Sequence, residues 1–139
     1  MSSRRTFLSS AAALFAAPLL AADTPAITSF AKTFDELTAS SSAAGQSRPI
    51  VNGKSATTGY EFEAHQTTLL AGKMPHPPHH HAHDELFLVR TGTVEFNLNG
   101  KPYRLGPGSV ALAANNDEHG VRNVGAEPAQ YFVVAIGKD

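Results

Sequence analysis

The sequence contains no cysteine and no tryptophan among its 139 residues. Without cysteine the chain can form no disulfide bond and offers no thiolate, so any bound metal must be held by nitrogen and oxygen atoms. It also has no excess of positive charge, because 11 lysines and arginines stand against 12 aspartates and glutamates, a net charge of −1. We therefore expect no nucleic-acid partner.

The chain also lacks a hydrophobic run long enough to span a membrane. The apolar stretch AAALFAAPLLAA has 12 residues, whereas a transmembrane helix needs about 20. Arg4 and Arg5 precede this stretch, an order typical of an export signal and similar to a twin-arginine signal. An ordinary Sec signal or a short N-terminal anchor is the alternative. We expect residues 1–22 to be cleaved near Ala22, which leaves a periplasmic protein with no membrane anchor and a net charge of −3 (9 basic, 12 acidic residues).

The length and the hydrophobic content of 42% suit a single soluble domain with one core. Residues 23–57 are predicted to form a short N-terminal helix and a linker. Phe30, Phe34 and Leu37 lie at i, i+4 and i+7, on one face of a helix, where their expected role is packing. The segment ASSSAAGQS that follows is typical of a flexible connector.

From Tyr60 onward the pattern changes to short strands rich in aromatic and β-branched residues and separated by turn residues. The predicted strands are GYEFEAHQTTLL, ELFLVR, TVEFNL, KPYRL, SVALAA, HGVRNV and QYFVVAI. Asn99-Gly100 between the third and fourth is a strong signal for a two-residue hairpin turn. Residues 58–137 are therefore predicted to form an all-β sandwich or barrel.

The strand ELFLVR is apolar on both faces, with Phe87 and Val89 on one and Leu86 and Leu88 on the other. A small barrel buries only one face of each strand. The second face needs another cover, either another layer, the N-terminal segment or a second subunit. Together with the apolar last strand YFVVAI and the helix stripe, this excess of apolar surface predicts a homodimer.

Five of the seven histidines fall between residues 76 and 83. A chance cluster, a solvated loop and a metal site are the candidate explanations. His79 and His81 point to the same side of an extended chain, but a straight strand would carry Glu85 about 13 Å from His81. Glu85 can join them only if the chain turns at residues 82–84. His119 heads a later strand, and such a set of imidazoles and a carboxylate suits Mn, Fe, Co, Ni, Cu or Zn.

Two groups of residues resemble the two motifs of the cupin superfamily. The first group is Gly72, His79-x-His81, Glu85 and Gly92, and the second is Gly108, His119 and Asn123. The intervening segment, residues 93–107, has the short length of compact single-domain cupins. Two departures concern loops: six residues rather than five separate Gly72 from His79, and Ala114-Asn115-Asn116 stands where the family usually has Pro-x-Gly.

This resemblance implies a small jelly-roll β-barrel that holds one divalent transition metal inside. The implied metal ligands are His79, His81, Glu85 and His119.

The remaining histidines and Asn123 receive separate interpretations. We expect His80 to face away from the site, His83 to lie at the turn near the mouth, and His76 to lie on the rim. His65 is interpreted as a structural histidine, with a place in the cavity wall as the alternative. Asn123 either faces the pocket or braces the backbone.

Cupins with such ligands include enzymes and binding proteins, so two hypotheses stand. The first is a metal-dependent dioxygenase, similar to quercetin dioxygenases, that acts on a small enol, diketone or catechol-like molecule. The catalytic residue would be Glu85, which could act as a base. The second is a non-catalytic periplasmic module that binds a metal or a small ligand. The sequence shows no other residue that stands out as a general acid.

Overall fold

The computed structural model describes residues 24–137, which form two antiparallel sheets of nine strands. The strands are β1 (Ser40–Ser42), β2 (Gly45–Lys54), β3 (Glu61–Leu69), β4 (Asp84–Thr91), β5 (Val94–Leu98), β6 (Lys101–Leu105), β7 (Val110–Ala113), β8 (His119–Asn123) and β9 (Ala129–Ile136). The predicted signal peptide lies outside the described residues. Within residues 24–137 no helix is long and apolar enough to cross a membrane.

The two sheets face each other across one hydrophobic core. The larger sheet has the strand order β1-β2-β3-β9-β4-β7, and the smaller has the order β6-β5-β8. Phe87 and Tyr131 of the larger sheet and Phe96 and Val121 of the smaller are buried between them. Alternate residues of each strand point into this core because side chains of a strand alternate between its faces. The predicted all-β jelly-roll fold is confirmed.

The strands predicted from Tyr60 onward are all present, and the hairpin turn lies where Asn99-Gly100 placed it. Leu98 pairs with Lys101, so the turn between β5 and β6 has two residues. Asn99 has a φ of 50° and Gly100 a φ of 80°. Positive φ at both central residues is the requirement of the turn that matches strand twist, and asparagine and glycine tolerate it best.

The expected short N-terminal helix is not present. The segment forms a single 3-10 turn, Phe34–Glu36. Phe30 is half exposed, and no helical stripe forms. Phe34 instead lies between two guanidinium groups, 4.7 Å from that of Arg48 and 4.9 Å from that of Arg90. A two-turn helix is marginal in water, and these cation–π contacts to neighbouring strands hold the segment in a different conformation.

The expected linker is also largely a strand. Residues 45–54 form β2, which pairs with β3 along its whole length, and β1 pairs with β2 at the sheet edge. Pro49 causes no break because the register shifts between Pro49 and Val51, and a bulge is one of the places where a sheet tolerates proline. The sequence of this region has few β-branched residues, so its strand is stabilised by pairing with β3 rather than by local preference.

The outer face of β4 stays exposed in the single chain. Leu86 and Leu88 are each 43% exposed, although Phe87 and Val89 on the inner face are buried. The N-terminal segment reaches β4 at Arg90, through Phe34. The exposed apolar residues of the three neighbouring strands form one patch, here called the outer patch: Leu86, Leu88, Val110, Leu112 and Ile136.

Asn123 braces the backbone and does not line the cavity. Its side-chain Nδ2 donates to the carbonyls of Leu69 and Glu127, both at 2.8 Å, and its Oδ1 accepts from the Gly125 N–H at 2.9 Å. The residue is fully buried. Of the two roles left open by the sequence, the structure therefore supports the second.

Replacing Asn123 by alanine is expected to lower the free energy of unfolding by about 2–4 kcal/mol, because three backbone groups lose their hydrogen bonds to this buried side chain. Urea denaturation of the metal-free protein measures this change. Asn52→Ala is the control, since Asn52 is exposed on β2. Equal losses in the two variants would contradict the bracing role.

Candidate metal centre

Backbone hydrogen bonds hold the two histidine-bearing segments side by side. The N–H of His79 donates to the carbonyl of His119 at 3.0 Å, and the N–H of His119 donates to the carbonyl of His79 at 2.8 Å. His119 is the first residue of β8, and Glu85 is the second residue of β4. His79 is therefore held against β8 and Glu85 lies within β4, so neither side chain is carried by a free loop.

A turn at residues 114–117 fixes the position of His81. The Asn116 N–H donates to the His81 carbonyl at 2.8 Å, and the Asp117 N–H donates to the Ala114 carbonyl at 2.9 Å. Asn116 has a φ of 63°, a left-handed conformation that asparagine adopts more readily than most residues. The sequence that replaces the usual Pro-x-Gly thus still makes a turn beside the site.

Four side chains converge at the place that the sequence singled out. One nitrogen from each of His79, His81 and His119 lies within 4.8 Å of the others. The Glu85 carboxylate lies between the rings, with one oxygen 3.2 Å from Nε2 of His81 and the other 3.2 Å from Nε2 of His119. Bends at residues 82–83 bring Glu85 there, as the spacing required.

The other ring nitrogens are held by the backbone. Nδ1 of His81 lies 3.1 Å from the carbonyl of His83, and Nδ1 of His119 lies 2.9 Å from that of Asp117. A carbonyl can only accept, so both Nδ1 atoms carry hydrogen and Nε2 faces the site. Nε2 of His81 and Nδ1 of His79 are buried without a hydrogen-bond partner. Buried imidazole nitrogens that lack a partner and lie beside a carboxylate fit a divalent transition metal.

The protonation states of the site are set by its mutual contacts. Burial raises the pKa of Glu85, but hydrogen bonds from His119 and His83 outweigh burial and lower that pKa to about 2. Burial lowers the pKa of His119, yet its bonds to Glu85 and to the Asp117 carbonyl raise it above 6.5. Burial and the neighbouring His76, His119 and His81 rings lower the pKa of His79. The metal-free site thus favours an anionic Glu85, a protonated His119 and a neutral His79.

His83 is closer to the site than the sequence suggested. Its Nε2 donates to Oε1 of Glu85 at 3.2 Å, and its ring stacks on that of His81 with centroids 3.6 Å apart. His81, His83 and Glu85 form a second cluster whose donor atoms lie within 4.8 Å of one another. Glu85 therefore connects two histidine clusters, and His83 is positioned to hold its carboxylate in place.

The remaining histidines lie outside the cluster. His80 and His76 are exposed, although the ring of His76 packs edge-on against His79 with centroids 4.2 Å apart. His65 lines the cavity beside the site, and its Nδ1 lies 2.8 Å from a carboxylate oxygen of Glu63.

The cluster opens onto a cavity of about 340 Å³. Its inner wall is largely apolar and is formed by Leu69, Phe87, Val121, Val133 and the ring of Tyr131. Burial raises the pKa of Tyr131 to about 12, so its hydroxyl stays protonated. Sequence reasoning missed this tyrosine, although it shares strand parity with Val133 in a strand that was predicted.

The mouth of the cavity is formed by a serine-rich segment within the range predicted to be a linker. Ser40, Ser41 and Ser42 of β1 and Ser47 of β2 line it. No local signal placed these serines there, because their position depends on the pairing of β1 with β2 and of β2 with β3.

The family model of the cupin domain matches residues 65–135, just over half of the chain. This range contains all four side chains of the cluster and the seven core strands from most of β3 to most of β9. The protein belongs to the cupin family.

The sequence also matches a short stretch of one curated protein, and the structure is similar to several solved structures. A stretch of 43 residues is 42% identical to the HTH-type transcriptional activator RhaS of Klebsiella pneumoniae (strain 342), covering 31% of this chain and 16% of that protein. This chain therefore spans about a sixth of that relative's length.

Two solved structures match most of the chain. KdgF from a Halomonas species is 20% identical with a TM-score of 0.67, over 81% of this chain and 97% of its own. An RmlC-like cupin from Shewanella frigidimarina NCIMB 400 is 14% identical with a TM-score of 0.64, over 80% and 93%. At these identities the likeness establishes the fold.

Proposed function

We propose that the protein is an exported, metal-dependent cupin dioxygenase acting on a small enol, diketone or catechol-like molecule. The observation that carries this proposal is the opening of three imidazoles and one carboxylate onto a small, partly apolar cavity. A volume of about 340 Å³ lies at the lower end of the range of small-molecule sites.

Different residues would have different roles in such a site. His79, His81, His119 and Glu85 would hold one divalent transition metal, which when bound supplies a Lewis acid and a template for the substrate. Glu85 is the candidate base, because its carboxylate lies at the centre of the cluster, with one oxygen 3.2 Å from Nε2 of His81 and the other 3.2 Å from Nε2 of His119. Phe87 and Phe96 pack around the His119 ring, with centroids 5.8 and 6.3 Å away, and exclude water from its buried side.

The alternative is a cupin module that binds a metal or a small ligand without catalysis. The identity shared with RhaS favours this alternative, because the name of that protein describes a transcriptional activator and no enzymatic activity. The contacts of Glu85 also favour the non-catalytic module, since both of its oxygens already have histidine partners.

Oxygen uptake separates the two functions. The protein is purified with its native metal, the metal is identified and counted by elemental analysis, and uptake is followed with flavonols, diketones and catechols. We expect uptake with at least one class and none after metal removal. Full metal occupancy with no uptake across the panel would favour the binding module.

We also propose that the working protein is periplasmic, on the basis of Arg4 and Arg5 and the apolar stretch behind them. Replacing both arginines by lysine is expected to keep the protein in the cytoplasm, because twin-arginine export depends on that pair. Cell fractionation measures the distribution. Unchanged periplasmic yield would argue for an ordinary signal, and cytoplasmic wild-type protein would argue against export.

The outer patch supports a homodimer, because five apolar side chains on adjacent strands are exposed in the single chain. Wild-type protein is expected to have a dimer mass by light scattering at tens of micromolar, and Leu86→Lys a monomer mass. Leu70→Lys is the matched control, since Leu70 is equally exposed but lies outside the patch. A monomer mass for the wild type would refute the dimer.

A further inference from the structure

The register of the larger sheet places a second titratable pair beside the metal centre. Glu63 and Glu85 pair with the same residue of β9, Ala135, from its two sides. His65 and Phe87 likewise both pair with Val133. All four side chains share the inner face, and two strand spacings separate the backbones by about 10 Å.

Glu63 orients the His65 ring. Nδ1 of His65 lies 2.8 Å from Oε1 of Glu63. An ionised carboxylate can only accept a hydrogen bond, so Nδ1 carries the hydrogen and the neutral ring keeps a lone pair on Nε2. Within residues 24–137 that Nε2 has no hydrogen-bond partner, and the His65 ring lines the cavity.

The cavity wall also limits the charge of the ligand. No lysine or arginine lines the cavity within the described part of the chain. Hydroxyl groups line the cavity instead, from Ser40, Ser41, Ser42, Ser47, Thr67 and Thr68. A neutral ligand that carries hydroxyl groups suits this lining better than a polyanion, whose charge would have only the metal as a partner.

We propose that His65, oriented by Glu63, accepts the proton from a hydroxyl group of a neutral ligand bound at the metal centre. The O–H bond of the ligand breaks, its electron pair stays on the ligand oxygen, and the Nε2 lone pair of His65 forms the new N–H bond. Glu63 then stabilises the imidazolium by its negative charge. His65 is thus a catalytic residue that contacts the ligand, and Glu63 is a positioning residue. The inference rests on the proposed binding of a small hydroxylated molecule.

The probe is 4-nitrocatechol, whose visible absorption changes when a hydroxyl proton is lost, and the protein is loaded with zinc, which has no redox chemistry. Zinc occupancy is measured separately for each variant. The pH midpoint for deprotonation of the bound probe is expected to rise by about one unit in Glu63→Gln and in His65→Phe, the size of effect that a close charge partner has. Nitrogen NMR of the metal-free protein at alkaline pH should show the His65 hydrogen on Nδ1.

Glu61→Gln is the matched control. Glu61 lies on the same strand and does not contact His65, so this substitution removes the same charge without touching the dyad. The other titratable groups that face the cavity are unchanged in all variants: His76, His79, Glu85, His119 and Tyr131. Wild-type midpoints in both dyad variants, or a His65 hydrogen on Nε2, would overturn the dyad alone. Failure of zinc-loaded wild type to bind the probe would overturn the proposed function and this inference together.

Discussion

Alanine at His81 or at His119 is expected to lower the affinity for a divalent transition metal by more than about 100-fold. Loss of an outer partner of a metal ligand typically costs about 10–100-fold, and these substitutions remove a ligand nitrogen itself. His119 is buried, and its backbone is bonded in both directions to His79. The His81 variant is the milder test of folding, because its side chain is less deeply buried.

His80→Ala is the matched control, since His80 lies beside His81 in the sequence and is exposed. Elemental analysis and competition with a chelator measure occupancy and affinity, and circular dichroism checks that each variant is folded. We expect His80→Ala to bind metal as the wild type does. An equal loss in the His80 variant would show that strand parity does not select the ligands.

Glu85→Gln is expected to weaken metal binding without abolishing it and to reduce any oxygen uptake more than it reduces occupancy. Glutamine keeps the size and one oxygen, but it removes the charge that offsets the cation and removes the candidate base. Occupancy and uptake are measured on the same preparation, with Glu127→Gln, on an exposed loop, as control. Full occupancy together with full uptake would mean that the three histidines alone account for the site.

The pH dependence of metal affinity gives a second readout of the Glu85 variant. Burial lowers the pKa of His119, but its contacts with Glu85 and Asp117 outweigh burial and raise it. A proton therefore competes with the metal for that ring at higher pH than it would for a free imidazole, and wild-type affinity should fall as pH drops through the range in which His119 gains its proton. Glu85, with a pKa of about 2, stays ionised there and does not set the fall. Without its charge the pKa of His119 decreases, so the fall should move to lower pH in Glu85→Gln. An unmoved profile would contradict the Glu85–His119 pairing.

Enrichment in aromatic and β-branched residues, with turn residues between the runs, was sufficient to predict β3 to β9. The Asn99-Gly100 turn was equally predictable, since few residues tolerate its backbone conformation. The N-terminal region was not predictable in this way. Its helix stripe was wrong because Phe34 packs between Arg48 and Arg90, two residues that its own periodicity cannot reveal.

The candidate site was predictable in its main members but not in its surroundings. Spacing within residues 79–85 and the resemblance to the cupin motifs brought the same four side chains together that converge in the structure. The contact of His83 with Glu85 was not predicted, because it depends on the bend between them. The place of His65 in the cavity wall was only one of two alternatives.

The sequence by itself determined the all-β class, the hairpin register and the residue types of the candidate metal centre, because strand composition, turn chemistry and the lack of cysteine can be read from the sequence alone. Only the tertiary structure decided which serines form the cavity mouth, that His65 lines the cavity beside the candidate metal centre, and that Leu86 and Leu88 stay exposed. Those features depend on which strands pair, and the pairing of β9 with both β3 and β4 joins segments far apart in sequence through burial in one shared core rather than through any local preference.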